Sequence, residues 1–285
     1  LFSILRQPYP PPVVSAAKAL LVSVGLGAFV ALFLIVFKPF GTDRAPIPNL
    51  NLFLGGYGLV IALVTFFPTF FFPRIWPKLY TDERWTVGWQ LVFTFFTVAL
   101  GITASYFYLM LTGGEYHLRD YLYFFRNGLL VSSFPIVIIT LLDYIRKLRK
   151  YEGGARSANM AERPAVPPAR EIVTLSDDRD RPEISLEAGR IWCLHSDGNY
   201  VEVWSRNDSG AYERTLIRNT LAKLSKQLPS GAFVTCHRSW VVNPALVESV
   251  TGNAQGYRLH LTDAPVVAVA RGRSELVLAR LKVGA

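Results

Sequence analysis

Residues Val13–Phe37 read VVSAAKALLVSVGLGAFVALFLIVF, with one charge, Lys18, in the whole stretch. A bilayer core takes about 20 apolar residues in a helix. Lys18 lies close enough to the start for its ammonium to snorkel to the headgroups. The stretch is too long for the core of a signal peptide and has no evident cleavage site, so it reads as a span. Three more stretches follow, at about Leu50–Phe72, Val87–Leu111 and Tyr121–Ile145. The fourth is the least pure, because Arg126 and Asn127 sit in its first turns. Charge at such depth is costly and often functional, which makes these two the polar candidates of the helical half. The plainer reading is an interfacial arginine at the outer end of the span. Gly55, Gly56 and Gly58 suit close helix packing, and Pro68, Pro73 and Pro135 suit kinks.

Charge is unevenly distributed. Residues 1–145 hold nine Lys/Arg and six Asp/Glu, residues 146–170 seven and two, and residues 171–285 fourteen and thirteen. The net charge of +9 is therefore concentrated in the middle segment. The basic pI alone says little about nucleic acid, since the last segment is nearly neutral. With four spans both termini share one side. That side carries nine basic residues near the spans, against Lys38, Arg44, Arg119 and Arg126 on the other. This places both termini in the cytoplasm and the chain in the cytoplasmic membrane. Trp76, Tyr80, Trp85 and Trp89 around the second loop suit the headgroup level. The run Asp143–Lys150 extends the fourth helix as a short basic stalk that also suits lipid headgroups. Residues 153–170, with Gly153, Gly154, Pro164, Pro167 and Pro168 and no apolar period, read as a flexible linker. Such a linker reaches only about 25 Å, so whatever the last domain binds must come close to the bilayer.

From Glu171 the pattern changes to short strands: Ile172–Leu175, Ile184–Glu187, Ile191–His195, Tyr200–Trp204 and Ala211–Arg218. Turn-forming runs, Ser196–Asn199 and Asn207–Gly210, separate the later ones. In Tyr200–Trp204 the alternation puts Tyr200, Glu202 and Trp204 on one face and Val201 and Val203 on the other. Leu221, Leu224 and Leu228 mark a short amphipathic helix. Strands return at Phe233–Thr235, Val247–Val250, Tyr257–Leu261 and Val266–Val269, and Ser274–Lys282 closes as a helix. The fold class is an all-α four-helix membrane domain (1–145), a stalk and linker (146–170), and a mostly antiparallel β domain with short helices (171–285).

Three blocks of residues 171–283 resemble the LytTR-type DNA-binding domain. The first is Ile191–Val203, a strand–turn–strand with an aromatic after the turn. The second is Phe233-Val-Thr-Cys-His-Arg-Ser-Trp-Val-Val-Asn-Pro244, and the third is Val266-Val-Ala-Val-Ala-Arg271. The family normally has Ser where Ala270 stands. The resemblance implies a β fold that reads double-stranded DNA through loops rather than through a recognition helix. Arginine can fork two bonds to guanine and asparagine two to adenine, so Arg238 and Arg271 are the candidate base readers. Asn199 and Tyr200 are candidates for base-edge or backbone contact. His237 and Ser239 are candidates for phosphate contact or for bracing Arg238. Asn243, before Pro244, reads as a turn residue, and Trp192, Trp204 and Trp240 as core.

No Walker A loop, His-Glu-x-x-His or Gly-x-Ser-x-Gly motif is present. Cys193, His195, Cys236 and His237 have poor spacing for zinc, and two cysteines suit half-buried thiols in a reducing compartment. No cofactor, metal or enzymatic activity is expected. The expected function is a membrane-tethered one-component transcription regulator. It binds promoter DNA as a homodimer and is controlled by its spans or by an inhibitory membrane protein. The alternative is a membrane-anchored signalling scaffold whose last domain binds a protein, which the near-neutral charge of 171–285 suits.

Overall fold

The computed structural model describes residues 2–12, 15–39, 43, 47–111, 116–161, 171–207, 211–262 and 264–283. They fall into two compact units, Leu1–Ile145 and Arg146–Ala285.

The first unit is helical: α1 (Phe2–Leu5), α2 (Ala16–Phe37), α3 (Leu50–Ile75), α4 (Val87–Met110) and the first part of α5 (Leu118–Met160). The last four are long and apolar enough to cross a membrane. Ser15 and Thr86 cap α2 and α4 by accepting from the N–H groups of Lys18 and Trp89. Small residues set the closest crossing. A Cβ on Gly27 would lie 2.4 Å from the Gly58 carbonyl oxygen and 2.8 Å from Ala62, and one on Gly58 would lie 2.6 Å from Ala31. Two small-x-x-x-small pairs, Gly27/Ala31 and Gly58/Ala62, thus let α2 and α3 meet backbone to backbone. Of the three glycines singled out by sequence Gly58 makes the backbone contact, while a Cβ on Gly55 would lie 3.9 Å from Ile35 of α2. Gly56 instead makes room for Tyr108, whose hydroxyl donates to the Phe53 carbonyl at 3.0 Å. Asp143, the acid at the end of the fourth apolar stretch, accepts from the Tyr9 phenol.

The second unit is built around a five-stranded antiparallel sheet in the order β5-β4-β3-β7-β6. Its strands are β3 (Ile191–Asp197), β4 (Tyr200–Arg206), β5 (Tyr212–Ile217), β6 (Val234–His237) and β7 (Trp240–Val242). The hairpin β1 (Ile172–Ser176) and β2 (Pro182–Glu187) and the helix α6 (Leu221–Gln227) cover one face. There Val173, Leu175, Leu194, Val201, Val203, Leu224 and Val241 form one core. The three-stranded sheet of β8 (Val247–Asn253), β9 (Gly256–Leu261) and β10 (Val267–Ala268) and the helix α7 (Ser274–Val283) cover the other face. Cys193, Cys236, Val242, Val250, Leu259 and Leu281 lie in that second core. Alternation along each strand feeds both cores, with one departure. A bulge between Ile191 and Cys193 puts Trp192 and Cys193 into the same core.

The first part of the expected linker, from Gly153, is helix. Helix α5 continues through Gly153 and Gly154 to Met160, and residues 162–170 lie outside the described residues. Two glycines in a helix cost about 2 kcal/mol. Packing offsets this. Tyr151, Ala155 and Ala158, on one face at spacings of four and three, are buried in the second core. Burial of one large side chain contributes about 2 kcal/mol. Asn159 adds two hydrogen bonds to one strand residue: its Nδ2 donates to the Val250 carbonyl at 2.8 Å, and its Oδ1 accepts from the Val250 N–H at 2.8 Å. At about 1 kcal/mol each, these bonds tip the balance toward helix. Strand β8 lies at the edge of its sheet, so Asn159 satisfies main-chain groups that have no neighbouring strand.

Candidate nucleic-acid interface

Two hairpin turns leave the central sheet at the same end. The β3–β4 loop is Gly198-Asn199, closed by the Asp197–Tyr200 pair. Gly198 has φ +59°, the conformation that the first position of a type II′ hairpin reserves for glycine. The β6–β7 loop is Arg238-Ser239, closed by His237–Trp240, and neither loop residue has a positive φ. A register shift between Thr235 and His237 supplies the twist that such a turn lacks. The Ser196 N–H donates to the Ser239 carbonyl at 2.9 Å, tying the second turn to the strand that leads into the first.

His237 braces the arginine's turn. Its Nδ1 lies 2.8 Å from Ser239 Oγ and accepts from the Ser239 N–H at 3.3 Å. A ring nitrogen that accepts a main-chain N–H carries no proton of its own, so the proton of neutral His237 sits on Nε2. Arg238 is exposed at the tip. Asn199 and Tyr200 are exposed on the neighbouring turn, Tyr200 at 46%.

Arg271 approaches the same strand from elsewhere in the chain. The Ala270 N–H donates to the Cys236 carbonyl at 2.8 Å, and Arg273 donates to the Thr235 carbonyl at 2.8 Å. One main-chain bond before Arg271 and the Arg273 guanidinium after it thus hold this segment on β6, and the carbonyl of Ala270 accepts from Arg273 N–H. The serine that the family usually has at 270 is not needed for this seat. Arg271 is exposed, and its Cγ passes 3.9 Å from where a Cβ on Gly256 would lie. The structure therefore gathers five of the six sequence candidates around β6 and the two turns, with Arg271 at β6's flank. His237 and Ser239 serve the turn itself.

A polar network that sequence reading missed underlies this end of the sheet. Glu202 is buried, at 8% exposure, on the same face as Trp204. Its Oε1 lies 3.2 Å from Arg214, and its Oε2 lies 3.3 Å from both the Trp204 indole N–H and His195 Nδ1. His195 stacks on Trp240, the residue after the Arg238-Ser239 turn, with ring centroids 4.0 Å apart. The signal lay in the cross-strand pairs His195–Glu202 and Trp204–Arg214. Reading them needs the register and not the sequence alone.

Among the described residues no group of three or more His, Cys, Asp or Glu could hold a metal. Burial pushes the Cys236 thiol up to about 12 and raises that of Cys193 as well. Both stay protonated, which suits neither a thiolate ligand nor a nucleophile. In the helical unit Arg126 and Asn127 make local contacts. The guanidinium donates to Asn127 Oδ1 at 3.4 Å and lies 5.1 Å from the Tyr123 ring centroid.

Residues 184–282 match the family model described as the LytTr DNA-binding domain. The second unit carries a LytTr DNA-binding domain. A solved structure, the LytTr DNA-binding domain of a protein described as a methyl-accepting/DNA response regulator from Bacillus cereus, is similar at 19% identity. The match covers 39% of this chain and 94% of that one, with a TM-score of 0.29. No curated protein matches the chain. The match to the LytTr domain begins in β2, so β1 and the end of α5 lie outside it.

Proposed function

We propose that this chain is a membrane-tethered transcription regulator whose LytTr domain reads promoter DNA with Arg238 and Arg271. Asn199 and Tyr200 contact the neighbouring base edges or backbone, and His237 and Ser239 hold the Arg238 turn. The observation that carries this reading is the gathering of exposed Arg238, Asn199 and Tyr200 on two turns at one end of the sheet. Arg271 is fixed beside the same strand. Loop-borne arginines at a sheet end suit insertion into a groove, where forked donors read guanine. Four apolar helices and the excess of basic residues on one set of loops support an anchor in the cytoplasmic membrane with the LytTr domain inside the cell.

The test is a binding-site selection with the detergent-solubilised chain. A single enriched sequence motif is expected, and Arg238→Ala and Arg271→Ala should each weaken binding to it. No enrichment, with binding unchanged in both variants, overturns the reading. The fourteen basic and thirteen acidic residues of 171–285 favour a second reading, docking to a protein. DNA binding must lose affinity steeply as salt rises, because phosphate contacts release counterions. Protein docking through a near-neutral surface need not.

A further inference from the structure

The last turns of α5 touch the LytTr domain at one residue that also touches the Arg271 segment. Tyr151 meets the Tyr257 ring edge to face, with centroids 5.0 Å apart at 86°. The Tyr257 phenol oxygen lies over Gly154, where a Cβ would be 2.0 Å from it. Strand β8 meets the helix equally closely, since a Cβ on Gly252 would lie 2.2 Å from the Tyr151 carbonyl oxygen. On its other side the Tyr257 carbonyl accepts from the Val269 N–H at 3.0 Å, two residues before Arg271. Gly256, which precedes Tyr257, has φ +147° and lies under the stem of Arg271.

We propose that the end of α5 is a positioning element for Arg271. Its seat on β8 and β9 fixes the Tyr257 side chain, and through the Tyr257–Val269 bond it sets how β10 presents Arg271 to DNA. Asn159 and Gly154 are then positioning residues: Asn159 pins the helix to β8, and Gly154 leaves room for the phenol. A displacement of the end of α5 would reach the segment before Arg271 through its contacts with β8 and through Tyr257. The DNA part of this proposal rests on the reading of Arg271 given above; the positioning part does not.

The test uses the full chain in lipid nanodiscs. Gly154→Ala places a methyl against the phenol oxygen. Tyr257→Phe removes that oxygen, and the nearest ring carbon is then 3.0 Å from the new methyl. In Gly154→Ala, amide hydrogen exchange in residues 266–272 should rise about tenfold, as expected for loosened local structure. It should return toward wild type in the double variant Gly154→Ala/Tyr257→Phe, while residues 221–228 of the opposite core keep their protection. Affinity for the selected DNA should fall about tenfold in Gly154→Ala, but not further when Arg271→Ala is already present, as coupled sites require. Asn159→Ala should reproduce the exchange change more weakly. Faster exchange confined to residues 247–257 overturns the proposal, and so does a uniform rise that includes 221–228. Failure of Tyr257→Phe to rescue overturns it too. If Arg271→Ala alone leaves DNA binding unchanged, the base-reading role of Arg271 fails, and the exchange results still decide whether α5 positions it.

Discussion

Replacing Arg238 by lysine and by alanine separates a base reader from a phosphate contact. The side chain is exposed on a two-residue loop. The bonds that hold that loop run through Ser239 and His237, at 2.9 Å from Ser196 and 3.3 Å from the Ser239 N–H. Neither bond uses the guanidinium, so both variants should fold with stability changed by less than about 0.5 kcal/mol. A forked contact to guanine contributes about 1–3 kcal/mol of discrimination. At about 1.4 kcal/mol per decade, that is a loss of roughly 5- to 150-fold. Lysine keeps the charge but not the planar fork, so it should lose nearly as much as alanine. The assay is fluorescence anisotropy over a salt series, on the selected site and on a scrambled duplex of equal length. Both variants should weaken on the selected site and match wild type on the scrambled one. The plots of log affinity against log salt should stay parallel. Base reading by Arg238 is refuted if lysine restores binding, or if alanine weakens both duplexes equally with a slope shallower by about 0.9, the signature of one lost phosphate contact.

Glu202→Ala strips the partner from Trp204, Arg214 and His195. Arg214 is 47% exposed, so water takes back part of the loss, and a destabilisation of about 2 kcal/mol is expected in urea melts. A change below about 0.5 kcal/mol would mark the network as inert. Gly58→Leu cannot be accommodated 2.4 Å from the Gly27 carbonyl, so the helical unit should lose its melting transition in detergent or shift it sharply downward. An unchanged transition would remove the close crossing of α2 and α3. The Asp177 carboxyl is held below its ordinary range, first by the Arg181 N–H and also by the Arg181 side chain and the Arg179 N–H, against a burial effect that raises it. A lowered folded-state value gives stability that is present above the unfolded pKa of about 3.9 and lost as pH falls through the folded one. Asp177→Asn should therefore flatten the loss of stability on acidification below about pH 4; identical pH slopes would contradict this.

The helical half was legible because span length and polarity leave few alternatives. The strands of the second half were legible where alternation was clean, as in Tyr200–Trp204. Two things were not. Gly153-Gly154 read as a break because propensity counts each glycine as a cost, whereas here one of them is the space that Tyr257 fills. The spacing Tyr151, Ala155, Ala158 carried the helical signal, but small residues weigh little on any hydrophobic scale. The Glu202 network stayed hidden because an acid in an alternating strand looks solvent-facing until its cross-strand neighbours are known. The closeness of the candidate residues within each turn was legible, since a hairpin turn keeps loop residues together in sequence and space. Only the approach of Arg271 to β6 needed the fold.

The docked end of α5 also constrains how the domain could be set free. Residues 162–170 join the docked end of α5 to β1. A cut there would leave Tyr151, Ala155, Ala158 and Asn159 on the helical fragment, and its departure would take them away from Val250 and Tyr257. The released piece would carry an opened core and an uncapped edge strand. Shedding an intact reader requires cleavage before Tyr151, within the basic run that follows the fourth span.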